Sequence, residues 1–591
     1  MKKSFLGIAG LALLGPAVVL STATEKDMRK INIAGKEYTL TARRAAAEFP
    51  TPEVEQSCHG KTLLWYQRGD PRDVYPDSVP RQDELKTELS TFAAKDQYAD
   101  ACFSLYAVKN LKGVKIELED DLRNENGTVL SRTNIDLKTV KFRMHKNAWE
   151  GAESVHTVPE LLEEPAEIDE FEAKSSQSFW LQTKNRIPTD CLPGNYTGSV
   201  NVVFNQSQSL KIPVRIRVLP FELKTPDVTN NFWSMYIICQ GLSTASVEQL
   251  NDEYRHLGDY GFKGIITRIY RDAPYNFVIK DGKIVEFESE NLKRIQQARR
   301  NAGMNAPLAL WWHNFLEQRV AKDTKTKLDF GNPEFRERMI EAFKAIDRAV
   351  KRYGGEEYGT WYYYGYDEPG DIEERFVQAY GEHELAALAG VPGADTCYGP
   401  SYARLRPVCR IQITPAWCRE ATSRENEPWW LIAGGVYAGQ EGGLMPDRYL
   451  SGFQFFQSGA QAGVSWTYRS DYCGNPYDFS GEREIMIVYP PRNGRKTSTL
   501  QWEGIRKGVD DYRYLFTLEE CIARCAAAGK KKPAEDARRQ LHEVLALFPE
   551  KGNYTDDPVE RKFDNELADK CRWLLAMEIM KLQQYSKNDH E

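Results

Sequence analysis

Residues 361–369 read Trp-Tyr-Tyr-Tyr-Gly-Tyr-Asp-Glu-Pro, an apolar aromatic run that ends in two adjacent carboxylates. The run is continuous rather than alternating, which is typical of a parallel strand covered on both faces. In a barrel of alternating strands and helices, the carboxyl ends of the strands carry the active site. Because Pro369 disfavours the helical region for Glu368, we expect the carboxylate pair to be extended at the rim of the sheet.

Similar apolar strands lie on both sides of this stretch and alternate with amphipathic helices, which is the pattern of parallel βα units. Eight such strands favour a (β/α)8 barrel of the TIM type. A doubly wound open sheet is the alternative, but no phosphate-binding turn follows the first strand. The predicted strands are 232–239, 264–269, 306–312, 360–366, 395–398, 410–414, 429–434 and 463–466, with helices at 247–260, 292–302, 333–353, 373–389 and 447–458.

The two ends of the chain follow other patterns. From residue 31 to 219, short alternating stretches separated by turn signals predict an antiparallel β-sandwich whose last strand ends at Pro220. From Gln501 onward the pattern is helical, and we expect these helices to pack on the barrel as a cap. The predicted domains are a signal peptide (1–23), a β-sandwich (24–225), a catalytic barrel (226–500) and a helical region (501–591).

The first residues predict export from the cytoplasm. Lys2 and Lys3 precede the apolar run 5–20, and Ser21 and Ala23 are the small residues of a cleavage site. An uncleaved N-terminal anchor is the alternative. Because no later segment resembles a membrane span, we expect a secreted or periplasmic protein that has no span after cleavage.

The overall composition narrows the class of protein. A hydrophobic fraction of 41% supports packed cores and excludes general disorder. A formal charge of −7 over 591 residues argues against a nucleic-acid or anionic-membrane partner, since both require a basic face. The 11 cysteines are scattered, so their pairing cannot be deduced, and the sequence implies no metal or organic cofactor.

Two carboxylates beside a group of aromatic residues point to glycoside hydrolysis. One carboxyl group must be protonated to act as an acid, and burial together with its neighbour's negative charge would raise its pKa. The alternative is that Asp367 and Glu368 only cap a helix that begins near Gly370, since acidic residues are common at that position.

Further candidates for substrate contact follow or end the predicted strands. Tryptophan and tyrosine stack on the C–H faces of sugars, although the same residues also fill barrel cores. Arg469 and Asp471, just past the eighth strand, could bind substrate or pair with each other. The candidates are Trp312, His313, Asn314, Tyr398, Trp430, Tyr437, Trp466 and Tyr468.

Two motifs lie downstream of Tyr366-Asp-Glu-Pro369. One runs from Arg448 through Gly452, Gly459 and Gly463-Val-Ser-Trp to Thr467-Tyr468. The other, preceded by Tyr489-Pro490, covers residues 499–515 and reads Thr-Leu-Gln-Trp-Glu-Gly-Ile-Arg-Lys-Gly-Val-Asp-Asp-Tyr-Arg-Tyr-Leu. With these three motifs, and with its order of sandwich, barrel and helices, most of the mature chain resembles glycoside hydrolase family 123 and its uncharacterised relatives.

The resemblance implies an exo-acting β-N-acetylgalactosaminidase that acts on a glycan substrate. It implies a retaining mechanism in which the 2-acetamido group of the substrate is the nucleophile, which is a known exception to the usual two-carboxylate geometry. Glu368 would be the general acid/base. Asp367 would accept a hydrogen bond from the acetamido N–H and orient the acetamido carbonyl toward the anomeric carbon.

Two other functions remain open at this point. The same barrel could hydrolyse a sugar without an acetamido group, with a separate carboxylate such as Asp471 as the nucleophile. It could also bind carbohydrate without catalysis, although intact Asp367 and Glu368 count against this. In the downstream motif, we expect Glu503, Arg506 and Asp510-Asp511 to form buried ion pairs that fix the helical tail to the barrel.

Overall fold

The computed structural model of the chain has β-sheets in its N-terminal part, alternating strands and helices in its centre and helices at its C-terminus. The predicted combination of several β-sheets with a helical C-terminal region is therefore confirmed. The predicted signal peptide, residues 1–23, lies outside the described residues. The structure describes residues 29–33, 36–41, 48–146, 154–226, 234–239, 245–268, 275–313, 315–370, 372–397, 400–415, 430–433, 444–460, 462–469, 487–492, 495–548 and 564–587.

Fourteen described strands and one short α-helix form most of the regular structure in the N-terminal part of the chain. They are β1 (Arg29–Ile33), β2 (Lys36–Thr41), α1 (Pro52–Cys58), β3 (Leu63–Tyr66), β4 (Leu89–Lys95), β5 (Asp100–Ala107), β6 (Leu111–Leu118), β7 (Leu122–Arg123), β8 (Val129–Leu130), β9 (Ile135–Lys146), β10 (Ser154–Glu163), β11 (Glu167–Phe171), β12 (Ser176–Thr183), β13 (Gly194–Phe204) and β14 (Gln208–Glu222).

These strands form two sheets with one shared core. The first sheet has the order β1-β2-β10-β9-β12-β5-β3 and the second β11-β6-β13-β14-β4, with β7 beside β13 and β8 beside β7. Phe103 of β5 stacks on Phe179 of β12 at 5.6 Å between ring centroids. Val200 of β13 and Ile216 of β14 belong to the same buried cluster. The alternation of apolar residues in these strands is therefore the consequence of one buried face on each sheet.

Strand β14 is longer than expected. It was predicted to end at Pro220, but it continues to Glu222. Its pairing with β13 stops at Val218, and its pairing with β4 is irregular between Val218 and Glu222. Pro220 therefore lies where no regular ladder needs its missing N–H, which is how a strand tolerates a proline.

Eight parallel strands in the centre of the chain pair in the closed order β15-β16-β19-β20-β21-β22-β23-β24, and β24 pairs back with β15. Each of the eight overlaps one predicted strand. Their bounds, with those of a separate hairpin of β17 and β18, are β15 (Ser234–Cys239), β16 (Phe262–Thr267), β17 (Tyr275–Lys280), β18 (Lys283–Ser289), β19 (Leu308–Trp311), β20 (Trp361–Tyr364), β21 (Gly393–Thr396), β22 (Ile411–Pro415), β23 (Trp430–Ala433) and β24 (Ala462–Arg469).

Helices connect most of the barrel strands. None is described between β22 and β23, where residues 416–429 lie outside the described part of the chain. Among the helices that the structure describes, none has the length and apolar character needed to cross a membrane. The connecting helices are α2 (Val247–Asp259), α3 (Glu290–Ala302), α4 (Phe315–Thr324), α5 (Pro333–Gly354), α6 (Glu373–Leu388), α7 (Pro400–Leu405), α8 (Leu444–Ser451) and α9 (Phe453–Ser458).

The hairpin of β17 and β18 was not predicted. Its turn is Asp281-Gly282, and both residues have positive φ (50° and 75°). An Asp-Gly pair between two alternating stretches is a strong hairpin signal, so the sequence did contain the information. The hairpin packs on α5, where the carboxylate of Glu341 accepts a hydrogen bond from the Ile284 N–H at 2.9 Å.

The last part of the chain consists of a hairpin and three helices. The hairpin extends the first N-terminal sheet, because β26 pairs with β10. The longest helix, α10, carries most of the motif at residues 499–515. These elements are β25 (Tyr489–Arg492), β26 (Arg495–Thr499), α10 (Leu500–Ala527), α11 (Lys531–Leu545) and α12 (Asn565–Lys587).

Helix α10 is joined to the N-terminal sheets by buried charges. The guanidinium of Arg506 donates to Asp100 of β5 at 2.5 Å and to Glu503 at 2.7 Å. Lys507 donates to the other oxygen of Asp100 at 2.7 Å. Burial alone would raise the pKa of Asp100, but Lys507 and Arg506 outweigh burial and lower it. The charged residues of the motif are buried and paired as expected, but Arg506 is paired with the first N-terminal sheet rather than with the barrel.

A second buried group joins α10 to the barrel and to α12. Asp511, which is fully buried, accepts from Arg448 of α8 and from Arg572 of α12, each at 2.6 Å. Two glycines of α10 allow α8 to approach closely: a Cβ on Gly504 or Gly508 would lie 2.3 Å or 2.5 Å from a backbone carbonyl oxygen of α8. Ion pairing and close backbone packing therefore act at the same helix contact.

Replacement of Arg506 by methionine should destabilise the whole fold, because it keeps the volume but leaves Asp100 and Glu503 without their shared cation. Breaking a buried pair in this way typically costs about 3–5 kcal/mol. Urea unfolding followed by circular dichroism would measure the loss. As a control, Arg524→Met on an exposed turn of the same helix should change the free energy of unfolding by less than about 0.5 kcal/mol. Equal effects of the two variants would contradict the prediction.

Candidate active site

Strand β20 is buried on both faces, as its continuous apolar sequence predicts. Tyr362 and Tyr364 belong to the cluster inside the barrel, together with residues of five other barrel strands. Trp361 and Tyr363 belong to the cluster between the barrel and its helices. The next four residues leave the strand, and they place Asp367 and Glu368 at its carboxyl end.

Asp367 is held from inside the barrel. The Tyr364 hydroxyl donates to a carboxylate oxygen of Asp367 at 2.8 Å. That hydroxyl is also hydrogen-bonded to Thr396 at the end of β21. Since the Tyr364 hydroxyl has only one proton, the Thr396 hydroxyl must be the donor in the second bond. A chain of two hydroxyl groups therefore directs hydrogen bonds at the Asp367 carboxylate.

Glu368 has an unusual backbone conformation. Its φ of 52° lies in the left-handed region, where a residue other than glycine is strained. The expectation that Glu368 is extended is therefore wrong, because the close turn after β20 outweighs the preference that Pro369 imposes.

Asp367 and Glu368 do not cap the following helix. Helix α6 begins only at Glu373, and its N-cap residue, Ile372, provides no side-chain hydrogen bond. The carboxylate of Asp367 instead accepts from Tyr364, within the barrel. The alternative in which the pair serves only as a helix cap therefore receives no support from the geometry.

The surroundings of both carboxyl groups favour their protonated forms. Burial raises the pKa of Asp367, while the hydrogen bond from Tyr364 and the nearby His313 partly oppose the rise. Burial also raises the pKa of Glu368, and the negative charge of Asp367 raises it further. Asp367 has compensating donors and Glu368 has a negative neighbour. The two adjacent carboxyl groups therefore differ in their electrostatic surroundings, as an acid and its neighbouring carboxylate must.

His313 lies next to this pair, at the end of the neighbouring strand β19. It also has a left-handed backbone, with a φ of 51°. Its ring lies 5.2 Å from that of Tyr366, and its Nδ1 atom has no hydrogen-bond partner among the described residues. Burial lowers the pKa of His313, and the negative charge of Asp367 opposes this decrease. The structure thus places His313, one of the candidates for substrate contact, beside Asp367.

Sequence reasoning missed two residues at this end of the barrel. Trp311 packs against Tyr364 at 5.3 Å, and the guanidinium of Arg268 lies 4.0 Å from the centre of the Trp311 ring. The Nε1 atom of Trp311 has no hydrogen-bond partner within the described part of the chain. Alternation along β19 was the available signal, because Ala309 and Trp311 face inward while Leu308 and Leu310 face outward.

The same alternation removes Trp312 from the site. Its side chain is fully buried outside the barrel, 5.5 Å from Tyr275 of β17 and 6.1 Å from Phe287 of β18. Tyr468 is also fully buried; it is hydrogen-bonded to Glu253 and packs edge-to-face on Trp502. Neither side chain has surface left for a sugar, so both predicted contacts are corrected to roles in packing.

The remaining candidates cannot be placed in the same way. The backbones of Trp430 and Trp466 belong to β23 and β24, but their side chains lie outside what the structure describes. Arg469 forms an ion pair with Glu253 at 2.7 Å. No group of three or more His, Cys, Asp or Glu side chains in the described ranges could hold a metal ion. Asn314, Tyr398, Tyr437 and Asp471 lie outside the described residues.

This succession of sheets, barrel and helices has a counterpart among solved structures. It is a family 123 glycoside hydrolase from Clostridium perfringens, reported in a study of glycolipid glycan hydrolysis. The TM-score is 0.63 with 12% sequence identity, and the match covers 90% of this chain and 100% of that one. At this identity the similarity shows a common fold.

Other comparisons add little. An endo-β-1,4-mannanase from Thermotoga petrophila has a TM-score of 0.32 and 10% identity, covering 49% of this chain and 78% of that one. An endo-1,4-β-mannanase from Rhizomucor miehei has a TM-score of 0.30 and 10% identity, covering 40% and 86%. Scores this low carry no inference. No protein-family profile matches the sequence, and no curated protein is significantly similar to it.

The left-handed backbone at Glu368 leads to a test that does not depend on activity. At this position Glu368→Gly should be more stable than Glu368→Ala by about 1 kcal/mol, because only glycine adopts this conformation without strain. At the exposed Val377 within α6, the order should reverse by about 1 kcal/mol, since glycine is the poorer helix former. Thermal unfolding of the four variants would check both signs. The same order at both positions would contradict the left-handed assignment.

Proposed function

We propose that this protein is a retaining glycoside hydrolase that releases β-linked N-acetylhexosamine, with N-acetylgalactosamine as the preferred sugar, by substrate-assisted catalysis. The observation that carries the proposal is the pair of Asp367 and Glu368, which are adjacent at the end of a barrel strand but differ in their surroundings. The shared fold with a family 123 glycoside hydrolase supports it. The acetamido requirement and the choice of sugar rest on the resemblance of the sequence motifs to that family.

Each carboxyl group has a distinct task in the proposed reaction. Glu368, whose raised pKa favours the acid form, protonates the glycosidic oxygen and later deprotonates water. Asp367 accepts a hydrogen bond from the acetamido N–H of the substrate, so that the acetamido carbonyl can attack the anomeric carbon. The hydroxyl groups of Tyr364 and Thr396 orient Asp367 for this task. Adjacent carboxylates suffice because no enzyme nucleophile is needed on the opposite face of the sugar.

The same proposal includes the architecture and the location of the protein. We propose a (β/α)8 barrel at residues 226–500, a β-sandwich at 24–225 and a helical cap at 501–591. We also propose that residues 1–23 direct secretion or transfer to the periplasm. The closed pairing of eight strands and the core shared by the two N-terminal sheets support the first part.

Glu368→Gln should reduce turnover by about 10²–10⁴-fold on a glycoside with a poor leaving group, because it removes the proton donor and little volume. In the wild type, kcat/KM should fall as the pH rises through the raised pKa of Glu368, since the acid form is lost. The Gln variant should lack this alkaline limb. An activated aryl glycoside serves as the control, because its leaving group needs little protonation and its rate should change much less. Near-wild-type turnover on the poor leaving group would remove Glu368 from this role.

Asp367→Asn should lower kcat more than it weakens binding of the substrate. Asp367 is proposed to stabilise the positive charge that develops on the acetamido group only as the reaction proceeds. A thiazoline that mimics the cyclised intermediate should therefore inhibit the wild type strongly and the Asn variant weakly. If Asp367 were only a helix cap, Asn would replace it with little loss.

Chromogenic glycosides can separate this proposal from its alternatives. The proposal predicts hydrolysis of β-linked N-acetylgalactosaminides or N-acetylglucosaminides and little action on sugars without the acetamido group. A covalent glycosyl-enzyme trapped at another carboxylate, with no inhibition by the thiazoline, would instead establish a separate enzyme nucleophile.

A further inference from the structure

A group of buried polar residues lies on the outward face of β20, opposite the candidate site. We call it the support cluster; it consists of Glu317 on α4, Gln378 and Glu382 on α6, and Tyr363. The Tyr363 hydroxyl donates to Glu382 at 2.8 Å. The amide of Gln378 donates to Glu382 at 3.1 Å and to Glu317 at 2.7 Å. Glu382 is fully buried and Glu317 is 1% exposed, so the two carboxyl groups of the cluster are shielded from water.

The support cluster is also connected to the turn that carries the two carboxylates. The backbone N–H of Tyr366, directly before Asp367, donates a hydrogen bond to Glu382. Gly365 passes so close that a Cβ there would lie 3.1 Å from a carboxyl oxygen of Glu382. Glu382 therefore meets the chain at the two residues where β20 becomes the turn.

The surroundings of the two carboxyl groups in the support cluster raise their pKa values, which suits groups that serve in packing and hydrogen bonding. Burial raises the pKa of Glu382, and the negative charge of Glu317 raises it further. Burial raises the pKa of Glu317 to about 8. Neither carboxyl group forms an ion pair with a cation among the described residues. Glu382 accepts hydrogen bonds from Tyr363 and Gln378, whereas only one oxygen of Glu317 accepts a hydrogen bond, from Gln378. A buried carboxyl group costs free energy unless it is hydrogen-bonded. The need to keep these hydrogen bonds therefore holds its donors in a fixed geometry.

We propose that Glu382 is a positioning residue that holds the turn of Tyr366, Asp367 and Glu368 in place from behind the strand. The left-handed backbone of Glu368 is strained and persists only where the surrounding structure supports it. On the inward face, the support of this turn is the hydrogen bond from Tyr364 to Asp367. On the outward face, it is the acceptor that Glu382 offers to Tyr366. The consequence for catalysis rests on the function proposed for Glu368.

The deciding variant is Glu382→Met, which keeps the volume but removes the acceptor. Glu382→Gln is its conservative partner, because one carbonyl oxygen can still accept from the Tyr366 N–H. Tyr363→Phe is the matched control, since it removes another hydrogen bond of the same carboxyl group without contact with the turn. If Glu382→Met does not fold, Gly365→Ala serves instead, because its new Cβ would crowd the side chains of Tyr363, Glu382 and His383 and so displace the turn while Glu382 stays intact.

The first measurement is amide hydrogen exchange of the peptide that covers the turn. We expect Glu382→Met to raise its exchange rate at least about tenfold, because an amide whose hydrogen bond is lost opens locally. Glu382→Gln and Tyr363→Phe should leave it near the wild-type rate. Unchanged exchange in Glu382→Met, or an equal rise in Tyr363→Phe, would overturn the positioning role whatever the activity.

The second measurement is turnover on a poor and on an activated leaving group. A displaced acid should cost Glu382→Met about 10²-fold on the poor leaving group and less than about tenfold on the activated one, whereas general destabilisation should affect both equally. Equal losses would overturn the proposal that Glu382 positions the acid. If the wild type hydrolyses no glycoside but exchange still rises in Glu382→Met, then the glycosidase function is wrong and the positioning of the turn stands.

Discussion

The buried carboxylate of Asp100 joins parts of the chain that are far apart in sequence. Its compensating cations, Arg506 and Lys507, lie 406 and 407 residues further along the chain. A charge of this kind is tolerated away from water only when its partners are in place. The N-terminal sheets therefore cannot pack fully without α10, and α10 is in turn held to α8 of the barrel and to α12 through Asp511. One helix thus joins all three parts of the molecule.

The candidate site depends on the burial of strand β20 on both of its faces. Strand β20 presents Tyr364 to the barrel interior and Tyr363 to the helices, and each tyrosine hydroxyl donates to a carboxyl group. The inward carboxyl group, Asp367, belongs to the candidate site, whereas the outward one, Glu382, lies behind it. A strand covered on only one face could not hold the same turn from both sides.

Local patterns made much of the fold predictable. The eight barrel strands were located because apolar strands and amphipathic helices alternate along the chain, and strand and helix periods are local properties. Trp312 was placed in the site in error, because the exact end of β19 was uncertain. Neighbouring residues of a strand point to opposite faces, so an error of one residue selects the wrong tryptophan. Trp311 is the inward residue for the same reason.

Other features could not be predicted from local sequence. The left-handed backbone of Glu368 contradicts the preference of a residue before proline, and it is imposed by contacts from elsewhere in the fold. The partner of Arg506 is an aspartate near the start of the chain, so no spacing rule could connect them. Arg268 was overlooked because its role depends on its contact with the Trp311 ring, and the sequence does not show that contact.

The pairing of β26 with β10 and of Arg506 with Asp100 also affects how the chain folds while it is being synthesised. During synthesis the N-terminal sheets leave the ribosome several hundred residues before the segments that complete them. A chain that stops before residue 495 leaves Leu161 and Leu162 of β10 without the strand that pairs with them, and it has an uncompensated acid on β5. Unpaired strand edges promote aggregation and loosely folded chains are degraded. The segment from residue 495 onward therefore completes the fold of the N-terminal sheets, so interrupted chains differ from finished ones in stability.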